Sequence, residues 1–259
     1  MRWSLFVLAV VFPVGSWADV TSPSRPKVDF AAIQRRAEEV ERNYRRGVQL
    51  AEGDGVDQNY AQAARLYLLA AEAGYAPAQY DLAYLYAHGL GVEPDMRQAA
   101  NWYRKAAEQG DAEAQNNLGV LHATGNGVPH DDVEAVRWYC LSATQNDPEG
   151  ANNLGMMYLQ GRGVARDLAE AFRLFLKAAR QGHAIAQNNV GLMYANGQAV
   201  TRDYVSAYAW FDLASGELSG AATLRDRIAN EMTTAEIARA RDLAASKRAE
   251  LAKAQEASK

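Results

Sequence analysis

One cysteine, Cys140, stands among 259 residues, so no disulfide can close within the chain. Four histidines and that single thiol supply none of the Cys/His spacings of a zinc site, and no metal or other cofactor is expected. Seven prolines and twenty glycines without a Gly-x-y period exclude collagen-like and proline-rich classes. With 27 basic against 31 acidic residues the formal charge is -4, which leaves no basic field to attract nucleic acid. What the chain has in quantity is apolar residues, 49% of the total, so packing must supply its stability.

The first 18 residues, MRWSLFVLAVVFPVGSWA, join Arg2 to an apolar stretch from Trp3 to Val14 and end in Ser16-Trp17-Ala18. A basic start, a short apolar run and a small-x-small end describe a secretory signal peptide cleaved after Ala18. The run is broken by Pro13 and Gly15 and is shorter than the roughly 20 residues of a spanning helix. The expected location is periplasmic or secreted, with no membrane span once the signal is removed. Residues 19–27, DVTSPSRPK, read as a disordered linker.

The rest of the chain is periodic. Steps of 36 residues connect Ala78, Ala114, Gly150, Ala186 and Ala222; Leu82, Leu118, Leu154 and Val190; Gly89, Gly125, Gly161 and Gly197; and Tyr67, Tyr103, Tyr139, Phe175 and Phe211. Periods of this length mark repeat arrays, and five units span residues 42–221. Within a unit, Ala78, Leu82, Leu85 and Tyr86 form one helical stripe, and Ala99, Trp102, Tyr103, Ala106 and Ala107 form a second. Each unit is therefore a helix pair. The Gly89-Leu90-Gly91-Val92 connector ends the first helix, because glycine accepts the left-handed conformation of a C-cap. Asp95, Asp131, Asp167 and Asp203 fall where a carboxylate caps the second helix. The alanines are expected to let helices approach, and the aromatic column to fill the gap to the next unit.

A lone pair would leave one face of each helix wet, so neighbours must stack and the ends need caps. Phe30, Ile33, Ala37, Val40 and Tyr44 give a capping helix over 28–41. Capping helices over 222–245 follow the last unit, with Thr233 and Glu236 in capping-box spacing. A charged tail, 246–259, is expected to fray. The fold class is all-α: an α/α superhelical solenoid of helix-turn-helix repeats, like tetratricopeptide repeats.

Units such as AQNNLGVLHATGNGVPHDDVEAVRWYCLSA from Ala114 and GANNLGMMYLQGRGVARDLAEAFRLFLKAARQG from Gly150 resemble Sel-one-like repeats, relatives of the tetratricopeptide repeat with a Gly-x-Gly-Val connector. The resemblance covers about residues 42–221. It implies an adaptor that binds partners in signalling, envelope assembly, quality control or host contact. Two places depart from the pattern: Ala199 replaces the second connector glycine in the last unit, and Arg46 replaces the leucine in the first.

No catalytic residues emerge. Cysteine-rich members of that family are known as penicillin-binding or β-lactamase-like, but this chain lacks the paired cysteines. Ser24-Arg25-Pro26-Lys27 spells Ser-x-x-Lys, yet Pro23 and Pro26 oppose the helix that would bring the lysine to the serine. His122 occupies a packing column with Tyr86, Tyr158 and Tyr194. His122, His130, Asp131 and Asp132 have no helical i, i+4 pair to hold a metal, and Cys140 aligns with Arg104 and Leu176.

The columns off the core stripe are the candidate groove: Tyr80, Asn116, Asn152 and Asn188, and beside them Tyr84, Val120, Met156 and Leu192. Two roles fit them equally. They line a concave groove for a protein or peptide, or the asparagines bond to neighbouring repeats. The expectation is a monomeric, non-enzymatic scaffold, the alternative being an envelope hydrolase acting on peptidoglycan or β-lactams.

Overall fold

The structure is a computed structural model that describes residues 29–257; the signal-peptide, linker and Ser24/Lys27 readings lie outside them. Contacts divide the chain after Glu39. Residues 29–39 hold the first turns of α1 (Phe30–Glu52). Asp29 caps them by accepting from the Ala32 amide at 3.0 Å, and Gln34 donates to Glu38 one turn on. Every side chain from Asp29 to Glu39 is exposed.

From Val40 onward the chain is a stack of antiparallel helices. After α1 come α2 (Tyr60–Glu72), α3 (Ala76–His88), α4 (Met96–Glu108), α5 (Ala112–Thr124), α6 (Asp132–Thr144), α7 (Pro148–Gln160) and α8 (Leu168–Ala179). α9 (Ala184–Asn196), α10 (Tyr204–Ala214), α11 (Ser219–Ala229) and α12 (Thr234–Ala257) complete it, and no strand occurs among the described residues.

The local signals act as the sequence suggests. Asp95, Asp131, Asp167 and Asp203 each accept from two amides in the first turn of the second helix, satisfying donors that have no intrahelical partner. Gly89, Gly125, Gly161 and Gly197 end the first helices at φ of 66, 70, 70 and 67°. The second connector glycine has a separate reason. A Cβ on Gly91, Gly127 or Gly163 would come within 2.3, 2.2 or 2.1 Å of the backbone that opens α2, α4 or α6. The connectors of the second, third and fourth repeats thus each seat on the helix start of the repeat before.

The aromatic column lies differently from expectation. A Cβ on Gly119, Gly155 or Gly191 would stand 2.7 Å from Tyr139, Phe175 or Phe211, and one on Gly47 would meet Tyr67 at the same distance. Each ring lies flat on a glycine of its own helix pair, so the aromatics close the pair from within. Leu82, Leu118, Leu154 and Val190 are buried beside them.

Glutamines tie successive pairs. Gln79, Gln115 and Gln187 donate to Ala71, Ala107 and Ala179 carbonyls at the end of the preceding second helix, and Gln109 and Gln145 donate back to Gln79 and Gln115. Carbonyls left open by the helix end are satisfied in this way.

Both ends depart from the expected boundaries. The capping helix of 28–41 and the first helix of the first unit are one element, α1, because no glycine or proline separates Val40 from Tyr44. The tail beyond Ser246 is helical through Ala257 rather than frayed. Arg248 reaches the Asp212 carboxylate at 2.5 Å, and the Lys247 ammonium lies 4.4 Å over the Trp210 ring. These contacts hold α12 on α10. The Thr233–Glu236 capping box opens α12, the Glu236 carboxylate accepting from Thr233 N at 2.8 Å.

Candidate binding groove

Two successive first helices, α5 and α7, touch directly, and α9 reaches α7 through Asn189 and Asn152, whereas no two successive second helices come as close. In a curved stack the closer set lies on the inside, so the first helices line the inner face.

That face carries the expected columns, but its asparagines are already engaged. Asn116 and Asn152 are buried, at 3% and 5% exposure. Asn153 donates to Asn116 at 2.9 Å and Asn189 donates to Asn152 at 3.0 Å, while Asn116 donates to the Glu149 carboxylate at 3.1 Å. These amides lock α5 to α7 and α7 to α9. Asn116 and Asn152 are therefore interior ties between repeats and do not present their amides to the groove. Asn188 is half-buried and its side-chain amide has no hydrogen-bond partner among the described residues.

The second column remains accessible. Tyr84 is 42% exposed and stacks on His88 with ring centres 4.0 Å apart; Val120, Met156 and Leu192 are half-buried. Together they form an apolar strip along the inner face, extended by Ile185, which is half exposed. Tyr80 packs edge-on against Tyr103 at 5.7 Å. Burial pushes its hydroxyl well above the ordinary range, and hydrogen bonds to Glu113 and Asn117 hold it.

The sequence reading missed the neighbouring column, Asp81, Asn117, Asn153 and Asn189. Its signal was present as a fourfold 36-step series of short polar side chains. Asp81 sits among tyrosines and accepts from the Tyr44 and Tyr67 hydroxyls, and desolvation raises its carboxyl to about 6. Tyr44 lies 5.7 Å from Tyr67 and 5.0 Å from Tyr75, ring centre to ring centre.

The histidines do not converge. His122 is buried with Nε2 3.4 Å from the Arg104 guanidinium; its Nδ1 and the Trp138 indole nitrogen have no partner among the described residues. His130 lies 3.3 Å from Asp132, whose carboxyl is held below its usual range by the Arg162 guanidinium at 2.6 Å. Asp131 is spent on its helix cap. Among the described residues no group of three or more His, Cys, Asp and Glu side chains could hold a metal ion. Cys140 is an exposed free thiol, and no described helix is long and apolar enough to cross a membrane.

Stacked helix pairs with Gly-x-Gly connectors, capped by aspartate and tied by amides, define a class: an α/α solenoid of the tetratricopeptide-like kind. The chain belongs to the Sel1 repeat family, whose model matches residues 43–75, 76–111, 112–147, 148–183 and 184–215. Sel1 repeats generally serve as scaffolds for protein interactions. Two solved structures are similar at 33% identity. One is c5321, a protective antigen of uropathogenic Escherichia coli strains with an SLR fold, at TM-score 0.78 over 86% of this chain and 50% of that one. The chain thus spans about half the length of that antigen. The other is a Sel1 repeat protein from Oxalobacter formigenes, at TM-score 0.66 over 68% of this chain and 70% of that one. No curated protein sequence matches the chain.

Proposed function

We propose that the protein is a secreted or periplasmic scaffold, without enzymatic activity, that holds a protein or peptide partner on the inner face of its first helices in envelope assembly or signalling regulation. The observation that carries this reading is the strip of Tyr84, Val120, Met156 and Leu192, which stays open to solvent while the asparagines beside it are used in repeat contacts. An apolar strip flanked by polar side chains suits an extended or helical peptide, with fixed repeats providing a preformed surface. The N-terminal sequence supports export: Arg2, the apolar stretch to Val14 and Ser16-Trp17-Ala18 have the order of a cleaved signal.

Photocrosslinking groups placed at Tyr84, Met156 and Leu192, and in parallel at the exposed Leu69 and Leu141 of second helices, test the face. Adducts from the first set identify the partner by mass spectrometry; adducts only from the second set assign binding to the outer face instead. N-terminal sequencing of the protein from a periplasmic fraction should begin at Asp19. An intact Met1 in the cytoplasm would refute export.

A further inference from the structure

We infer that the joint between α2 and α3 is a recognition site for a peptide segment of a partner protein that offers an aromatic side chain beside a carboxylate. A notch of about 170 Å³ opens there, lined by Ala64, Leu68, Leu82 and Tyr86 together with the exposed Arg65. None of these residues belongs to the strip of Tyr84, Val120, Met156 and Leu192, so the site is additional to that surface.

The same joint recurs along the stack with larger side chains in it. Between α8 and α9 the place of Ala64 is taken by Phe172, whose ring packs edge-on against Tyr194, the counterpart of Tyr86, with centres 5.4 Å apart. Between α6 and α7 that place holds Val136. Between α4 and α5 it holds Ala100, but Arg104 stands where Leu68 does, and its guanidinium reaches His122, again the counterpart of Tyr86, at 3.4 Å. At the first joint Ala64 and Leu68 leave the space open. A cavity of about 150 Å³ is enough to hold a benzene ring.

The charge at the joint differs in the same sense. Arg137 and Arg173 stand at the place of Arg65 and pair with Glu134 and Glu170, three residues earlier. Before Arg65 that position is Gln62, and Arg65 has no ion-pair partner among the described residues. Both groups found at the fourth joint, the Phe172 ring and the Glu170 carboxylate, are thus missing from the first. A partner segment carrying an aromatic and an acidic residue close together supplies the two at once, on a preformed surface.

Titration of the isotope-labelled protein with acetyl-Glu-Ala-Phe-amide, the order found at residues 170–172, reads the site at the amides of Leu68, Tyr86, Gly91 and Val92. Saturable shifts there are expected, with Kd of about 1 mM, because one ring and one surface ion pair carry the affinity. Acetyl-Glu-Ala-Ala-amide should bind about tenfold more weakly or worse. Acetyl-Gln-Ala-Phe-amide should lose about two- to fivefold, and Arg65→Gln should erase the difference between the Glu and Gln peptides. Ala64→Phe, which gives the first joint the ring of the fourth, should abolish binding with helix content unchanged. Arg65→Gln lies at an exposed position and keeps the test decisive even where Ala64→Phe disturbs packing. No saturable shift at these amides up to about 10 mM, indifference to loss of the ring, a carboxylate preference that survives Arg65→Gln, or binding by a folded Ala64→Phe protein would each overturn the inference. So would phenylpropionate binding about tenfold tighter than the peptide, which would give the notch to a free aromatic acid.

Discussion

Ser142 and Gly150 are fitted to one another. A Cβ at position 150 would stand 2.2 Å from the Ser142 hydroxyl, which donates to the Asp147 carboxylate at 2.6 Å; the same carboxylate oxygen caps the Gly150 amide at 2.7 Å. In the flanking units the two places are held by Ala106 with Ala114 and by Ala178 with Ala186, all fully buried. A hydroxyl has been added at one position and a methyl removed at the other.

Gly150→Ala alone should therefore destabilise the protein by about 1–3 kcal/mol through overpacking. Ser142→Ala alone should cost about 1 kcal/mol for the lost hydrogen bond. The double variant, which restores the alanine pair of the other repeats, should lie well above the sum. A double-mutant cycle by urea unfolding measures the coupling, and strict additivity would refute the fit.

Ala199 holds φ of 60°, where the four other connectors have glycine, at Gly55, Gly91, Gly127 and Gly163. A left-handed conformation costs a residue with a Cβ roughly 1–2 kcal/mol, while glycine costs about 0.5–1 kcal/mol more in the unfolded chain. Ala199→Gly should raise the unfolding midpoint, by the equivalent of about 0.5–1 kcal/mol. A lowered midpoint in thermal melts would count against a strained connector.

Asp81 is the acidic member of a column otherwise made of asparagine. Its carboxyl is raised from 3.8 to about 6 by burial, so the folded state binds its proton more tightly than the unfolded chain does. The stability it contributes is full below about pH 4 and is lost as the pH rises to about 6. Asp81→Asn keeps an acceptor for Tyr44 and Tyr67 without the charge. It should stabilise the protein at pH 7, by on the order of 2 kcal/mol, and change little at pH 4. Equal effects at the two pH values would show that the charge is not what burial penalises.

His183 occupies the N-cap place held by Asp111 and Asp147 in the two preceding repeats, and its Nδ1 accepts from the Ala186 amide at 3.1 Å. Burial lowers its pKa, because the protonated ring would be desolvated. Protonation also removes the acceptor. The unfolded chain then takes up the proton first, and stability falls as the pH drops below about 6.5. His183→Asn, a cap that does not titrate, should match the wild type at pH 7.5 and exceed it at pH 5 in urea midpoints.

Periodicity made most of the fold legible. Gly125, Asp131 and Tyr139 each announce a local event, a cap or a ring laid on a glycine, and such events repeat with the unit. Contacts between units do not show in the same way. Asn116 bonds Asn153 and Asn152 bonds Asn189, each one residue beyond the 36-step, so aligned columns name equivalent positions but not touching ones. Compensation is hidden too, since Gly150 looks like a neutral lapse until Ser142 is placed beside it. The helical tail depends on Arg248 reaching Asp212 and Lys247 covering Trp210, long-range contacts from beyond the repeats back to the last of them that no pattern encodes.

The second connector glycine has a consequence for how such arrays change length. Gly91, Gly127 and Gly163 rest on the helix openings at Tyr60, Met96 and Asp132, each a fixed 31 residues earlier. Among these repeats an excision or duplication of a whole period delivers a glycine to a matching opening. At these three openings an insertion of another size brings a side chain to a place with no room for a single carbon. Recombination is thereby confined to integer steps, and the joint itself proofreads the register.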